Sequence, residues 1–520
     1  TGTRNVAVGS DAVYQTTTGN DNVGVGYEAL TRNTTGISNV AIGKEALSRN
    51  TNAHFNTAVG YQAGYSNTGD AYMTAIGSQA LYYNTTGSFN SALGRNALYN
   101  NTTASNNTAV GYEAMVSTTS AGNKTALGYK AGYSGTGADS GSVYIGMEAG
   151  LNSTESNHFI GVQAGRSTTN GFSNTVFGHQ AFYNNVSGDR NTIMGHGAGV
   201  DITSNDNTAV GYQAAKYTVS GGATVAVGVN ALYNNTHGQY NTAVGMAAGL
   251  SNTTGIQNVF LGIEAGQNNT IGSYNVCIGR QAANACTTAS GNIAIGRDAG
   301  RSFAGNGLQT MVGYAAGENT TGANSTFIGQ QAGYLVTTGE KNTVLGRFSG
   351  NQSGVDIRTA SNQIVLSDGD GTPRLRVTST GDAQWWSNSS NFTARNTNSA
   401  GTSNAFLTGL YSSSSGQGGT VSLRLWTNGN IQNTNNSYGA LSDQKLKENI
   451  VDANSQWDDI KDLQVRNYNM IEGQTHTQIG VIAQEVETVS SGLVYESPDK
   501  DEDGNNLGTV TKSVNYSVLY

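Results

Sequence analysis

The chain has 520 residues, a length that admits several domains. Only 36% is hydrophobic, 12% is charged, Gly supplies 71 residues and Pro 2; scarce Pro and scarce charge exclude a charge-rich disordered chain and fit a tightly wound β repeat. The net charge of −8 comes with no basic stripe, which argues against nucleic-acid binding, and no apolar run approaches the ~18 residues of a membrane-spanning helix.

The chain opens at Thr1 with neither Met nor a signal peptide, and is expected to be a fragment or a processed product. From residue 5 a motif recurs: "NVAVG" (5–9), "NVGVG" (22–26), "NVAIG" (39–43), "NTAVG" (56–60), and onward to "NTVLG" (342–346). The anchor glycines run from Gly9 and Gly26 to Gly329 and Gly346 in 21 copies, and 16 of the 20 spacings are 17 residues. Ala stands three residues after the anchor in 20 copies, with Ser349 the exception, and Asn stands four residues before it in 15. A fixed long period means a solenoid, in which each coil buries its faces against its neighbours. The five-residue core is too short for a helix and predicts a strand. The aliphatic residue before Gly is expected to point inward, with Gly making a turn or close approach and Ala filling a tight inner corner. Asn at one place per coil is expected to stack into an amide ladder. At ~4.8 Å per coil, 21 coils give a rod about 100 Å long. Residues 1–350 are therefore read as a β-solenoid rod, stabilised further by burying a face against sister chains. Tyr27, Tyr61, Tyr112, Tyr129, Tyr212 and Tyr314 follow anchor glycines, and two readings stay open: packing between subunits, or a surface on which sugars stack. Strung in tandem, the "N-T/S-A-V/I-G" pattern resembles the head of trimeric autotransporter adhesins, a left-handed parallel β-roll with a shorter coil, and repeats of phage tail fibres.

Cys277 and Cys286 support no disulfide framework, and Cys277, in a slot usually held by Ala, is expected to be a small buried thiol. His179 and His196 sit one period apart and would stack, without a third group to make a metal site. No cofactor is expected, and no carboxylate pair suggests glycan cleavage by the rod.

Residues 351–441 lose the period and are read as a β-rich connector. "SNQIVLSDGDGTPRLRVTSTGDAQWW" (361–386) predicts a hairpin around Asp368 to Gly371, and "TVSLRLWTNGNIQNTNNSYGAL" (420–441) predicts strand, Asn-Gly turn, strand. Strands this short are expected to be stabilised by intertwining of three chains.

At residue 442 the texture changes. Residues 1–441 hold 20 basic and 20 acidic groups, whereas residues 442–520 hold 6 and 14 and so carry the whole net charge. "SDQKLKENI" (442–450) places Leu446 and Ile450 on one helical face, with Ser442 as a helix cap and Asp443 in the first turn. Trp457, Ile460 and Leu463 predict a second short helix, "VRNYNMI" (465–471) a strand, "IGVIAQEVETV" (479–489) a strand leading into a helix, and "SVNYSVLY" (513–520) the start of a helix. "DKDEDG" (499–504) copies the opening of a calcium loop through Asp499, Asp501, Asp503 and Gly504, but Val510 stands where a bidentate Glu belongs, so a hairpin tip is the reading.

"LSDQKLKENI", "IKDLQVRNYNM", "QIGVIAQEVE" and "KSVNYSVLY", in that order, resemble the C-terminal intramolecular chaperone of endosialidase-type phage tail spikes and fibres, a domain with relatives in myelin regulatory factors. The resemblance covers the last 79 residues. It implies a small α+β domain (442–520) that brings three fibre chains together and then cuts itself off, once, at Leu441–Ser442. Ser442 matches the family's nucleophile, Lys447 its base, and Asp443 the acid that follows the serine. The family's helix runs on beyond "VNYSVLY", so a shortened chaperone is expected. On one helix a five-residue step turns about 140°, so Ser442 must lie just outside the helix start for Lys447 to reach it. The whole reads as a mainly β homotrimer: a virion tail fibre, extracellular, engaging a host-surface glycan or protein, touching no nucleic acid and inserting into no membrane. A bacterial surface adhesin and a glycan-degrading tail spike are the alternatives.

Overall fold

The computed structural model describes residues 2–69, 72–135, 141–303, 307–385, 405–411, 420–426, 431–433, 455, 457–469, 477–500 and 506–514. It divides into two units, Thr1–Asn388 and Ser389–Tyr520.

The first unit is a parallel β-solenoid. Twenty-one short strands, β1 (Val6–Val8) to β21 (Thr343–Leu345), come one per period. Each pairs in parallel with the next, so that Thr57 faces Thr74, Ala58 faces Ala75 and Val59 faces Ile76. The ladder runs on beyond the sequence period. After the antiparallel β22 (Asn351–Gln352) and β23 (Val355–Asp356), β24 (Ile364–Ser367) adds in parallel to β21. β25 (Pro373–Val377) and β26 (Ala383–Trp385) then continue the sheet in antiparallel fashion, β24 and β25 flanking the foreseen Asp368–Gly371 turn.

The strands face the opposite way from the one expected. The residue before the anchor glycine points outward: Val8 is 56%, Leu93 48% and Phe177 54% exposed. The middle residue, usually Ala, points in and is buried, as at Ala58, Ala75 and Ala92. With three residues per strand the alternation of a pleat allows either face to be inner. The narrow coil decides, because the inner side chain must fit the volume left by the other buried positions of its coil.

Where the middle residue is large, the core makes room elsewhere. Coils with Ala75 or Ala92 in the strand carry Leu81 or Leu98 four residues past the anchor. Coils with Tyr144, Phe159, Phe260 or Phe327 carry Gly150, Gly165, Gly266 or Gly333 there. A methyl group on Gly165 would meet the Phe159 ring at 2.6 Å. Volume is exchanged across the coil, so the interior stays close-packed. The position is left-handed in both kinds of coil: Leu81 has φ 52° and Leu98 φ 52°. Such backbone costs a bulky residue of order 1 kcal/mol, which burial of the leucine offsets.

The amide ladder forms as expected. Asn39 Nδ2 donates to Asn22 Oδ1 at 3.1 Å, the Asn39 backbone N–H donates to the same oxygen at 2.9 Å, and Asn39 Nδ2 also reaches the Ala53 carbonyl at 2.9 Å. The pattern repeats at Asn174, Asn191 and Asn207 and along Asn258, Asn275 and Asn292. A second, interrupted buried ladder lies eleven residues further along the coil, where Asn50 donates to Asn33 and Asn269 to Asn252. The ladders pair buried amides of a thin core, although in the second the Oδ1 of Asn101, Asn185 and Asn269 is buried with no hydrogen-bond partner among the described residues.

Both thiols are buried. Burial pushes the Cys277 thiol far up, and that of Cys286 to about 11. Because thiolate is the reactive form, neither is expected to react with iodoacetamide at pH 8 while the rod is folded. Full labelling in 6 M guanidinium, read by intact mass, is the contrasting outcome, and rapid labelling of native protein would show this region to be open.

In the second unit, β27 (Ala405–Tyr411), β28 (Thr420–Trp426) and β29 (Ile431–Asn433) form one antiparallel sheet. β28 and β29 are the foreseen pair; β27, within a Ser/Asn/Gly-rich stretch, was not anticipated. Next come α1 (Trp457–Asp462), β30 (Val465–Tyr468) paired with β31 (Gln478–Val481), α2 (Ala483–Val489), and the hairpin of β32 (Val494–Lys500) and β33 (Asn506–Val514). Ser513 and Val514, expected to begin a helix, are in β33 opposite Tyr495 and Val494.

Candidate functional site

Two regions bear on function. In the C-terminal region the predicted cutting residues Leu441, Ser442, Asp443 and Lys447 lie outside the described residues, as do Asp501, Asp503 and Gly504. What is described is the scaffold downstream. α2 packs on the β32–β33 hairpin and buries Val486. Charged side chains clamp it. Lys512 Nζ donates to Glu487 at 2.5 Å and pairs with Glu496 at 3.1 Å, so its ammonium is held above the usual lysine range by the hydrogen bonds from Glu487 and then Glu496. Arg466 on β30 forks onto Glu485 of α2 at 3.1 and 2.9 Å. Asp499 accepts from Thr511 Oγ1 at 2.6 Å, and hydrogen bonds from Thr509 and Thr511 hold its carboxyl below the usual range. Asp499 therefore braces the hairpin, in keeping with the hairpin reading of that stretch.

The second region is the rod surface, which carries two kinds of column. The first is the outward position before each anchor glycine. In all 21 copies it holds Val, Ile, Leu, Phe or Met. It is more uniformly apolar than the buried middle position, and it stacks coil on coil along the ladder. The sequence carried this signal in full; taking the column as core hid its meaning. The second kind is aromatic. Tyr27, Tyr61, Tyr112, Tyr129, Tyr212 and Tyr314 are all exposed, with Lys44 5.6 Å from the Tyr27 ring and 6.0 Å from that of Tyr61. His179 and His196 do stack, at 4.9 Å, and Tyr212 continues their column at 5.5 Å. A separate cluster of Tyr65, Tyr82, Tyr83 and Tyr99 beside Arg49 escaped the sequence reading because its residues belong to two adjacent columns.

A peptidase family model described as the chaperone of endosialidase matches residues 442–495, beginning at Ser442. No curated protein matches the chain, and no solved structure does.

Proposed function

We propose that the chain is a subunit of a trimeric viral tail fibre, carried on the virion and used for attachment to a host surface, whose C-terminal domain guides assembly and then removes itself by a single self-cleavage. The observation that carries the reading is the chaperone-family match starting at Ser442, the residue at which the neutral rod and connector give way to an acidic segment. In the proposed reaction Lys447, neutral in its folded pocket, takes the Ser442 hydroxyl proton as Oγ bonds to the Leu441 carbonyl carbon. The C–N bond breaks, the proton passes to the departing amine, and water hydrolyses the ester. The products are a fibre ending in the Leu441 carboxylate and a freed chaperone with its serine restored. Loss of the folding guide leaves the fibre kinetically trapped as a trimer.

The outward apolar column supports the trimer. An apolar stripe that is exposed or half-exposed along the length of the ladder calls for a partner. A partner covering all of it must be equally long and rise by the same step per coil, and sister copies of this rod meet both conditions. Replacing Val227, Val244 and Leu261 with Glu puts three like charges on adjacent coils of that face. The variant is expected to sediment as a monomer with unchanged circular dichroism while the wild type sediments as a trimer. A wild-type monomer at micromolar concentration would remove the trimer reading.

A further inference from the structure

We infer that the rod carries two related subsites for an acidic saccharide, at Tyr83/Tyr99 and at Tyr217/Tyr233, on the side of the coil opposite the strand face. The inference rests on the attachment reading and adds to it a site and a ligand class.

The placement follows from the coil cross-section. Tyr144, in the middle of its strand, spans the core, and its hydroxyl reaches Ser153 Oγ at 3.2 Å and the Glu155 carbonyl at 3.4 Å. Ser153 is seven residues past its anchor, Gly146, so that stretch of each coil lies across from the strand. Side chains five and six residues past the anchor therefore stay open when sister chains cover the strand face.

Tyr65, Tyr82 and Tyr99 occupy the fifth position in three successive coils and stack at 5.1 and 5.2 Å, nearly parallel at 5° and 13°. Tyr83, at the sixth position, stands edge-on to Tyr82 at 4.7 Å and to Tyr99 at 5.2 Å. The Arg49 guanidinium lies 4.8 Å over the Tyr65 ring. Arg49, Tyr65, Tyr82 and Tyr83 line one cleft, together with hydroxyls that include Ser66 and Thr85.

Tyr stands at the sixth position in two coils, at Tyr83 and Tyr217. The second repeats the first: Tyr217 meets Tyr233 of the next coil edge-on at 5.0 Å and 85°, against 5.2 Å and 83° for Tyr83 and Tyr99. Its cation is placed differently: Lys216 Nζ lies 5.0 and 5.5 Å from the two rings of the pair, whereas Arg49 lies over Tyr65, one coil before Tyr82 and Tyr83. Among the described residues neither Arg49 nor Lys216 has a carboxylate within 4.0 Å. An aromatic pair near a cation with no carboxylate within 4.0 Å, beside a hydroxyl-lined wall at the first subsite, suits a sugar that lays its C–H face on a ring and its carboxylate on the cation. The two subsites are eight coils apart, roughly 40 Å at ~4.8 Å per coil, so one polysaccharide chain can engage both and gain effective concentration.

Saturation-transfer NMR on the assembled fibre tests this with methyl glucuronide and N-acetylneuraminic acid against methyl glucoside. The acidic sugars are expected to receive saturation on their ring protons at least tenfold more strongly than the glucoside. The double variant Y83A/Y217A is expected to lose that transfer. R49Q/K216Q is expected to lose the preference for acid, and Y112A, in the other aromatic column, to keep it, all with unchanged circular dichroism. Equal transfer to wild type and Y83A/Y217A, or no transfer from wild type to either acidic sugar, overturns the subsites. Adsorption of labelled fibre to bacteria separates the two readings: adsorption unaltered in Y83A/Y217A removes the subsites and leaves attachment standing, whereas a fibre that adsorbs to no host cell removes attachment itself.

Discussion

The Ser442→Ala variant is expected to run as a single uncut 520-residue chain where the wild type yields pieces of 441 and 79 residues. Removing the nucleophile or the base of a hydroxyl-based peptidase costs roughly a thousandfold or more in rate, enough to abolish a one-turnover reaction on the time scale of assembly. Lys447→Ala is expected to match it. Lys447→Arg is more telling. An exposed lysine has a pKa of about 10.4, so roughly one in two thousand is neutral at pH 7. On the proposed mechanism, burial would have to lower that value for Lys447 to become the base. Arginine keeps a positive charge there but is effectively never deprotonated. If Lys447 acts as a base, Lys447→Arg stays uncut; if it serves only as a charge, Lys447→Arg cuts. The sign of the pH dependence follows: the rate climbs tenfold per pH unit up to the lowered Lys447 pKa and is level above it. If the proposed base depends on a folded pocket, chain held in denaturant is expected to stay whole. Intact mass of a purified time course reads all five results, and a Ser442→Ala chain split between residues 441 and 442 would sink the mechanism.

The rod was legible because its rule is repeated 21 times. A 17-residue step, an anchor glycine and a ladder asparagine leave little else for the chain to be. What could not be read was which side of each strand is inner, because three alternating residues are compatible with either face. The pairing of Tyr144 with Gly150 and Phe159 with Gly165 does record the answer, since large and small trade places only if both lie inside. The left-handed leucines, such as Leu81 and Leu98, run against local preference, and only stacking in the completed solenoid makes them tolerable. Ser513 and Val514 show the same override: helix-like in isolation, they are drawn into β33 by pairing with Tyr495 and Val494. The cutting site is a different case. Ser-x4-Lys occurs in many helix starts without chemistry, so spacing by itself proposes a cap. Only the ordered motifs downstream carry the resemblance from which Ser442 and Lys447 are proposed as a pair; the family match begins at Ser442 and assigns no role to either residue.

Gly279→Ala is expected to break the rod locally at a cost of about 3–5 kcal/mol, the sum of a backbone region that an alanine rarely enters and a clash that packing cannot relieve. Gly279 has φ 126°, and a methyl group there would sit 2.6 Å from both the carbonyl carbon and oxygen of Gly296 in the next coil and 3.0 Å from the Arg297 nitrogen. Those atoms are main chain, so the coils must part rather than a side chain turn aside. A control separates strain from mere change. Gln257, exposed with φ 56°, already pays a left-handed cost. Gln257→Gly relieves it and is expected to be neutral or stabilising by up to ~1 kcal/mol. In a globular domain the Gly279→Ala loss would spread through the whole fold, but a solenoid transmits it only from neighbour to neighbour. Hydrogen exchange followed by mass spectrometry is therefore expected to show amides of the coils around Gly262, Gly279 and Gly296 exchanging at least a hundredfold faster, while coils near Gly60 keep their protection. Uniform loss of protection along the rod would mean that the coils fold as one cooperative unit. Unchanged protection around Gly279 would mean that the close approach of successive anchor glycines does not hold the coils together.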